Sequence, residues 1–193
     1  RLIPALGAEG AAALHVELLK HALETTRAAS FGEVELHCDP DADDPFFRFC
    51  AACYGVVLRP QAPGDLGARL LAPFERELAA YARVLLIGSD CAALTPRYLR
   101  QADRALRDGA ETVLAPCEDG GYALIGLRQF DPRLFEGMAW GGRNVMTATR
   151  ARLAELGWRW LELETLWDVD RPEDYDRLVQ SGLLDAQRRT MTE

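Results

Sequence analysis

The sequence predicts a three-layer α/β/α domain built on a mostly parallel sheet. Helical and extended segments alternate along the chain, as in successive βαβ units. The run Arg83-Val84-Leu85-Leu86-Ile87-Gly88 is continuously apolar over strand length, the mark of a strand covered on both faces. The 193 residues show no repeat or low-complexity linker and sit near one domain on a scale of about 150 residues each, so 1–193 reads as a single domain.

Each element has its own signal. Leu14, Leu18, Leu19 and Leu23 recur three to four apart within residues 8–29, one helical stripe. Val34 to Cys38 alternates and then meets the breakers Asp39-Pro40-Asp41, a short strand entering a loop. Phe46 to Cys53 is a short helix, and Val56 to Pro60 a second strand. Leu66, Leu70, Leu71, Phe74 and Leu78 give Asp65 to Tyr81 a helical period, with Pro73 expected to kink or divide it. Val84 to Ile87 follows as the expected central strand. Thr95 is placed to cap a helix that Pro96 opens and Asp108-Gly109 ends. Thr112 to Ala115 and Gly121 to Leu127 are the next strands, and residues 144–156 are helical. Trp158 to Leu163 alternates like an edge strand, Pro172 opens a helix through Val179, and the polar tail from Asp185 is expected to fray.

Composition narrows the partners. With 22 basic and 30 acidic side chains the net charge is −8, and no basic face is clustered for a phosphate backbone, which argues against nucleic acid. An acidic chain still takes phosphorylated small molecules where a divalent cation bridges carboxylate and phosphate. No apolar run nears the ~20 residues of a membrane span, and no signal segment opens the chain, so a cytoplasmic location is expected. Five cysteines, an odd number in a chain with a real core, predict reduced thiols. Cys50 and Cys53 have the spacing of a zinc half-site but lack a second pair. His15 and His21 fall in the first helix, away from every motif. The first residue is Arg1 and not Met, which reads as a start inside a longer gene product.

Four segments carry candidate chemistry. Asp90 stands just past the buried strand, after Gly88 and Ser89; it either holds a Mg²⁺ or Mn²⁺ ion or caps the next helix, for which Thr95 is better placed. In Cys117-Glu118-Asp119-Gly120-Gly121-Tyr122 the paired glycines let backbone approach a ligand, with Asp119 facing the cleft, or form only a hairpin turn. Asp168 and Asp170 flank one residue, so in extended backbone both carboxylates point the same way and can grip a cation. Asp170 is also a natural N-cap before Pro172, which leaves Asp168 unexplained. In the segment Gln61 to Arg69, Gly64, Asp65 and Arg69 either line a substrate pocket or supply an Asp65–Arg69 pair on a helix face.

Together these segments resemble a family of bacterial glycosyltransferase-like proteins of the GT-A, or nucleotide-diphospho-sugar transferase, type, associated with arsenosugar biosynthesis. The resemblance rests on Arg1-Leu2, on Gln61 to Arg69, on Gly88 to Leu94, on Glu118 to Tyr122, on Phe135 to Trp140 and on Asp168 to Asp174, in family order over nearly the whole chain. It implies that the first sheet strand and a phosphate-binding glycine/lysine loop lie upstream, with Arg1 as that loop's last cation. It further implies donor contacts at Arg1, Gly64, Asp65, Arg69, Ser89, Gly120 and Gly121, and an acceptor side at Tyr122 and Trp140. Ala92, Ala93, Gly141, Gly142 and Arg171 depart from the family pattern and bear on the acceptor.

The function expected is glycosyl transfer from a nucleotide-diphosphate sugar to a small-molecule acceptor. Asp90 with Asp168 or Asp170 would hold the ion, and Asp119 would take the acceptor proton. The final motif also resembles that of sugar nucleotidyltransferases, which share fold and metal geometry but release pyrophosphate. A catalytically silent scaffold that keeps the fold is the third reading.

Overall fold

The computed structural model describes residues 1–30 and 32–184; the expected frayed tail from Asp185 lies outside the described residues. Helix α1 (Ile3–Ala29) is interrupted at Gly7 and closed by Ser30 in left-handed backbone. There follow β1 (Glu35–Cys38), α2 (Pro45–Tyr54), β2 (Val57–Pro60), α3 (Leu66–Glu77), β3 (Val84–Ile87), α4 (Pro96–Arg107), β4 (Thr112–Pro116), β5 (Tyr122–Leu127), α5 (Val145–Leu156), β6 (Trp160–Glu162) and α6 (Pro172–Ser181). Every predicted element is present within a few residues of its expected bounds. Thr95 caps α4 by accepting from the Tyr98 amide at 3.2 Å, and Pro73 stays inside α3, buried, without dividing it. None of the described helices is long and apolar enough to cross a membrane.

The sheets are mixed, which corrects the expectation of a mostly parallel one. β1 and β2 pair in parallel as a two-stranded sheet. The larger sheet runs β3-β5-β4-β6, with β5 antiparallel to both neighbours and β4 parallel to β6. The cause is local: the turn between β4 and β5 is too short for a crossover, so the two form a hairpin, and β5 then inserts between β3 and β4. Because β5 opposes both β3 and β4, strands β3, β4 and β6 share a direction, and their carboxyl ends emerge at one edge.

β3 was expected in the sheet interior. It is instead the edge of the four-stranded sheet, and all four of its residues are partly exposed, in contrast to the fully buried β4. Its apolar run reflects two covered faces, not two paired edges. Leu85 and Ile87 pack toward the α4 side with Leu99 and Leu106, while Val84 and Leu86 pack toward the α3 and α5 side with Phe74 and Leu153. Among the described residues no ladder joins β3 to β1.

Candidate functional site

The loops after β3, β4 and β6 are laced together by backbone hydrogen bonds. The Val169 amide donates to the Asp90 carbonyl at 2.9 Å, and the Glu118 amide to the Leu166 carbonyl at 3.0 Å beside a Cys117–Leu166 bridge. The buried Cys91 thiol donates to the Trp167 carbonyl at 3.3 Å. These contacts bring Asp90, Asp119, Asp168 and Asp170, read from three separate segments, into one electrostatically coupled group.

Three of the four carboxylates, Asp90, Asp119 and Asp170, have a visible structural reason for their pose. The Asp90 side chain folds back over Gly88, where a Cβ would lie 2.6 Å from its Oδ1, so the glycine makes room for the carboxylate. Thr95 does the capping, which leaves Asp90 free of that role. Asp119 Oδ1 accepts from the Gly121 amide at 2.8 Å, leaving its second oxygen open. Gly120, at φ +94°, passes so close to the Arg143 backbone that a Cβ would meet it at 2.2 Å. Asp170 is not the cap of α6: Pro172 is the first helical residue, Arg171 holds the cap position, and Asp174 accepts from its amide at 2.8 Å. Asp170 is thereby released to pair with Arg1, whose guanidinium reaches it from the start of α1.

Repulsion within the group is visible in its proton affinities. Desolvation, then the neighbouring Asp119 and Asp90, push Asp168 up to about 6. Asp90 is accessible as a residue, but protein crowds its carboxyl, and desolvation followed by Asp170 raises its pKa too. His15 on α1 lies near enough to Asp90 to oppose that rise, which corrects its expected distance from the motifs. His21, by contrast, is buried with Nε2 3.2 Å from the Leu94 carbonyl oxygen. The oxygen-rich donor set fits a hard divalent cation, because an ion would offset both the desolvation and the mutual repulsion of Asp90 and Asp168. Sequence reasoning gave Cys117 no role. It is 7% exposed, and its Sγ lies within 4.8 Å of carboxylate oxygens of Asp119 and Asp168. The available signal was its i,i+2 spacing to Asp119.

A second group forms around the start of α3. Asp65 caps this helix by accepting from the Ala68 amide at 2.9 Å and does not pair with Arg69. Arg69 instead donates to Gln61 at 2.7 Å and lies 3.5 Å from Asp39, which ties together the loops after β1 and β2. Beside them an open pocket of about 470 Å³ is lined by Ala62, Pro63, Asp65, Gly67, Leu71 and Phe135. The Trp140 indole nitrogen is buried against Gly67, where a Cβ would approach it to 2.5 Å. Tyr122 turns inward and its hydroxyl is buried beside Thr149, so only its backbone borders the acidic group. Glu118 points to α6, taking both Arg177 terminal nitrogens at 2.8 and 3.1 Å. Cys50 is buried and Cys53 exposed on α2.

The chain has an α/β fold that resembles the nucleotide-diphospho-sugar transferase fold. The chain belongs to the bacterial family described as "Uncharacterized protein conserved in bacteria (DUF2064)", whose model matches residues 22–142. No curated protein matches it. Among solved structures it is similar to a "putative nucleotide-diphospho-sugar transferase" from Desulfovibrio desulfuricans G20, at 27% identity and a TM-score of 0.78, covering 88% of this chain and 74% of that one. The fold is shared with CMP:2-keto-3-deoxy-manno-octonic acid synthetase complexed with CTP (14% identity, TM-score 0.59, 89% and 88% covered). It is also shared with a cytidylyltransferase from Leptospira borgpetersenii (15%, 0.56, 83% and 73%). The fold is thus common to nucleotidyl and sugar-nucleotide enzymes.

Proposed function

We propose that the protein is a metal-dependent glycosyltransferase using a nucleotide-diphosphate sugar donor and a small-molecule acceptor. The observation that carries the reading is the convergence of Asp90, Asp119, Asp168 and Asp170 at the carboxyl end of β3, β4 and β6. Asp90, Asp168 and Asp170 would hold Mg²⁺ or Mn²⁺, which supplies charge neutralisation for a diphosphate leaving group. Arg1, paired with Asp170, would lend its positive charge to that diphosphate. Asp119 keeps one oxygen on the Gly121 amide, and its other oxygen takes the acceptor hydroxyl proton as the acceptor oxygen bonds to the sugar carbon and the nucleoside diphosphate departs. Ser89, Gly120 and Gly121 would border the same edge as donor contacts, and Asp65, which lines the α3 pocket, would contact the donor there with its neighbours Gly64 and Arg69. Trp140 serves the acceptor side; Tyr122 does so through its backbone. The same reading assigns the open edge of β3 to a strand from residues upstream of Arg1, in one domain with the rest.

Nucleotidyl transfer is the second reading, favoured by the likeness in fold to a synthetase holding CTP. Mn²⁺ together with a nucleoside diphosphate is expected to raise the melting temperature more than the two separate shifts combined, because each ligand improves the site for the other. Asp90→Asn should retain the fold and lose that joint effect; a variant that keeps it removes the metal-dependent mechanism. Product analysis separates the chemistries: nucleoside diphosphate for glycosyl transfer, pyrophosphate for nucleotidyl transfer.

A further inference from the structure

The Cys117 thiol is an odd neighbour for two carboxylates. It is more than nine-tenths buried, its Sγ makes no hydrogen bond among the described residues, and it lies within 4.8 Å of Asp119 and Asp168 oxygens. Nothing in the transfer chemistry above uses a sulfur ligand. A thiolate is a poor partner for Mg²⁺, which prefers oxygen and demands a strict octahedron, and a good one for Zn²⁺, Co²⁺ or Cd²⁺.

We propose that Cys117, Asp119 and Asp168 form a binding site for a thiophilic divalent cation, overlapping the carboxylate site proposed for Mg²⁺ or Mn²⁺. The geometry supplies one buried sulfur and two carboxylate oxygens, that of Asp119 on an exposed residue, the donor count of a four-coordinate zinc-type centre with an exchangeable position. Binding replaces the S–H bond by an S–metal bond, and the proton leaves to solvent, so uptake of the ion releases one proton from Cys117. Because Asp168 would serve both ions, zinc and manganese exclude each other, and a trace of zinc blocks the magnesium- or manganese-supported reaction. This inference rests on the carboxylate group being a cation site, yet its sulfur ligand gives it a separate signature.

The test is a titration of the reduced, metal-free protein with Co²⁺. A near-ultraviolet thiolate-to-cobalt charge-transfer band is expected to saturate at one equivalent and to vanish on adding Zn²⁺. Cys53→Ser, which alters the exposed cysteine, should leave the band unchanged. Cys117→Ser should abolish it, and Asp168→Asn, with the thiol intact, should weaken cobalt binding about tenfold or more. Should Cys117→Ser fail to fold, the Asp168→Asn and Asp119→Asn titrations decide, since affinity unchanged in both overturns the site. No band in the parent, or a band surviving Cys117→Ser, also overturns it. Parallel Mn²⁺ binding followed by electron paramagnetic resonance keeps the two ideas apart. Mn²⁺ binding without the cobalt band sinks only the sulfur site, whereas the cobalt band without Mn²⁺ binding sinks the carboxylate mechanism.

Discussion

At Asp168 a single proton reports on the whole acidic group. The folded protein takes that proton at about 6, while the unfolded chain takes it at the ordinary aspartate value of 3.8. Between those values the folded state binds more protons than the unfolded one, so stability contributed at this residue falls as pH rises through the window and stays low above it. Asp168→Asn is therefore expected to raise the melting temperature of the metal-free protein near about pH 8. The gain should shrink as pH falls and be gone below the unfolded value. Calorimetry across that range checks it, and a variant less stable than the parent at alkaline pH would mean that burial and neighbouring charge do not disfavour ionised Asp168. Saturating Mn²⁺ should flatten the parent's profile, since the ion takes the place of the proton.

The element that holds the site in shape is the β4–β5 turn. Cys117, Asp119 and Gly121 are fixed by three short contacts: Gly121 carbonyl to Cys117 amide, Cys117 carbonyl to Gly120 amide, and Asp119 carboxylate to Gly121 amide. Gly120 cannot be replaced without cost, because it combines a positive φ with backbone contact to Arg143. Gly120→Ala is expected to destabilise the protein by ~2 kcal/mol or more and to displace Asp119; a denaturant midpoint matching the parent's would show that the turn yields easily. Here the sequence was informative in an uneven way. The carboxylates were legible because each stands beside a strand end, a glycine or a second acid, patterns with few structural uses. Strand direction was misread although the Gly120-Gly121 turn between two adjacent strands already implied a hairpin. The role of Asp170 turned on which residue before Pro172 holds the cap: α6 begins at Pro172 as expected, so the cap position falls on Arg171 and not on Asp170. Cys117 was passed over because a thiol looks like any small core residue until its neighbours from the loop after β6 are known.

At the scale of the molecule, two sheets share one pair of covering layers. The α1 helix packs on α4 beside the larger sheet and on α2 beside the smaller one, while Arg76 of α3 reaches Glu35 of β1 as α3 also packs on β3. Between them β3 keeps one edge unpaired among the described residues. The Gly88 amide bonds to Ala123 of β5, so by alternation Val84 and Leu86 also face β5, and the backbone groups of Leu85 and Ile87 face the open side. Amide hydrogen exchange is expected to be at least about tenfold faster at Leu85 and Ile87 than at Val84 and Leu86. Equal protection at all four would mean that this edge is covered.

That open edge ends at Asp90. The strand that carries the carboxylate also offers the unpaired amides, so a cation gripping Asp90 restrains the backbone at Ile87, and anything that pairs along β3 restrains Asp90. The two events are linked, and linkage is reciprocal in free energy. Metal at the cleft should slow exchange at Ile87, and a strand laid beside β3 should tighten the hold on the metal by the same factor, although neither ligand touches the other.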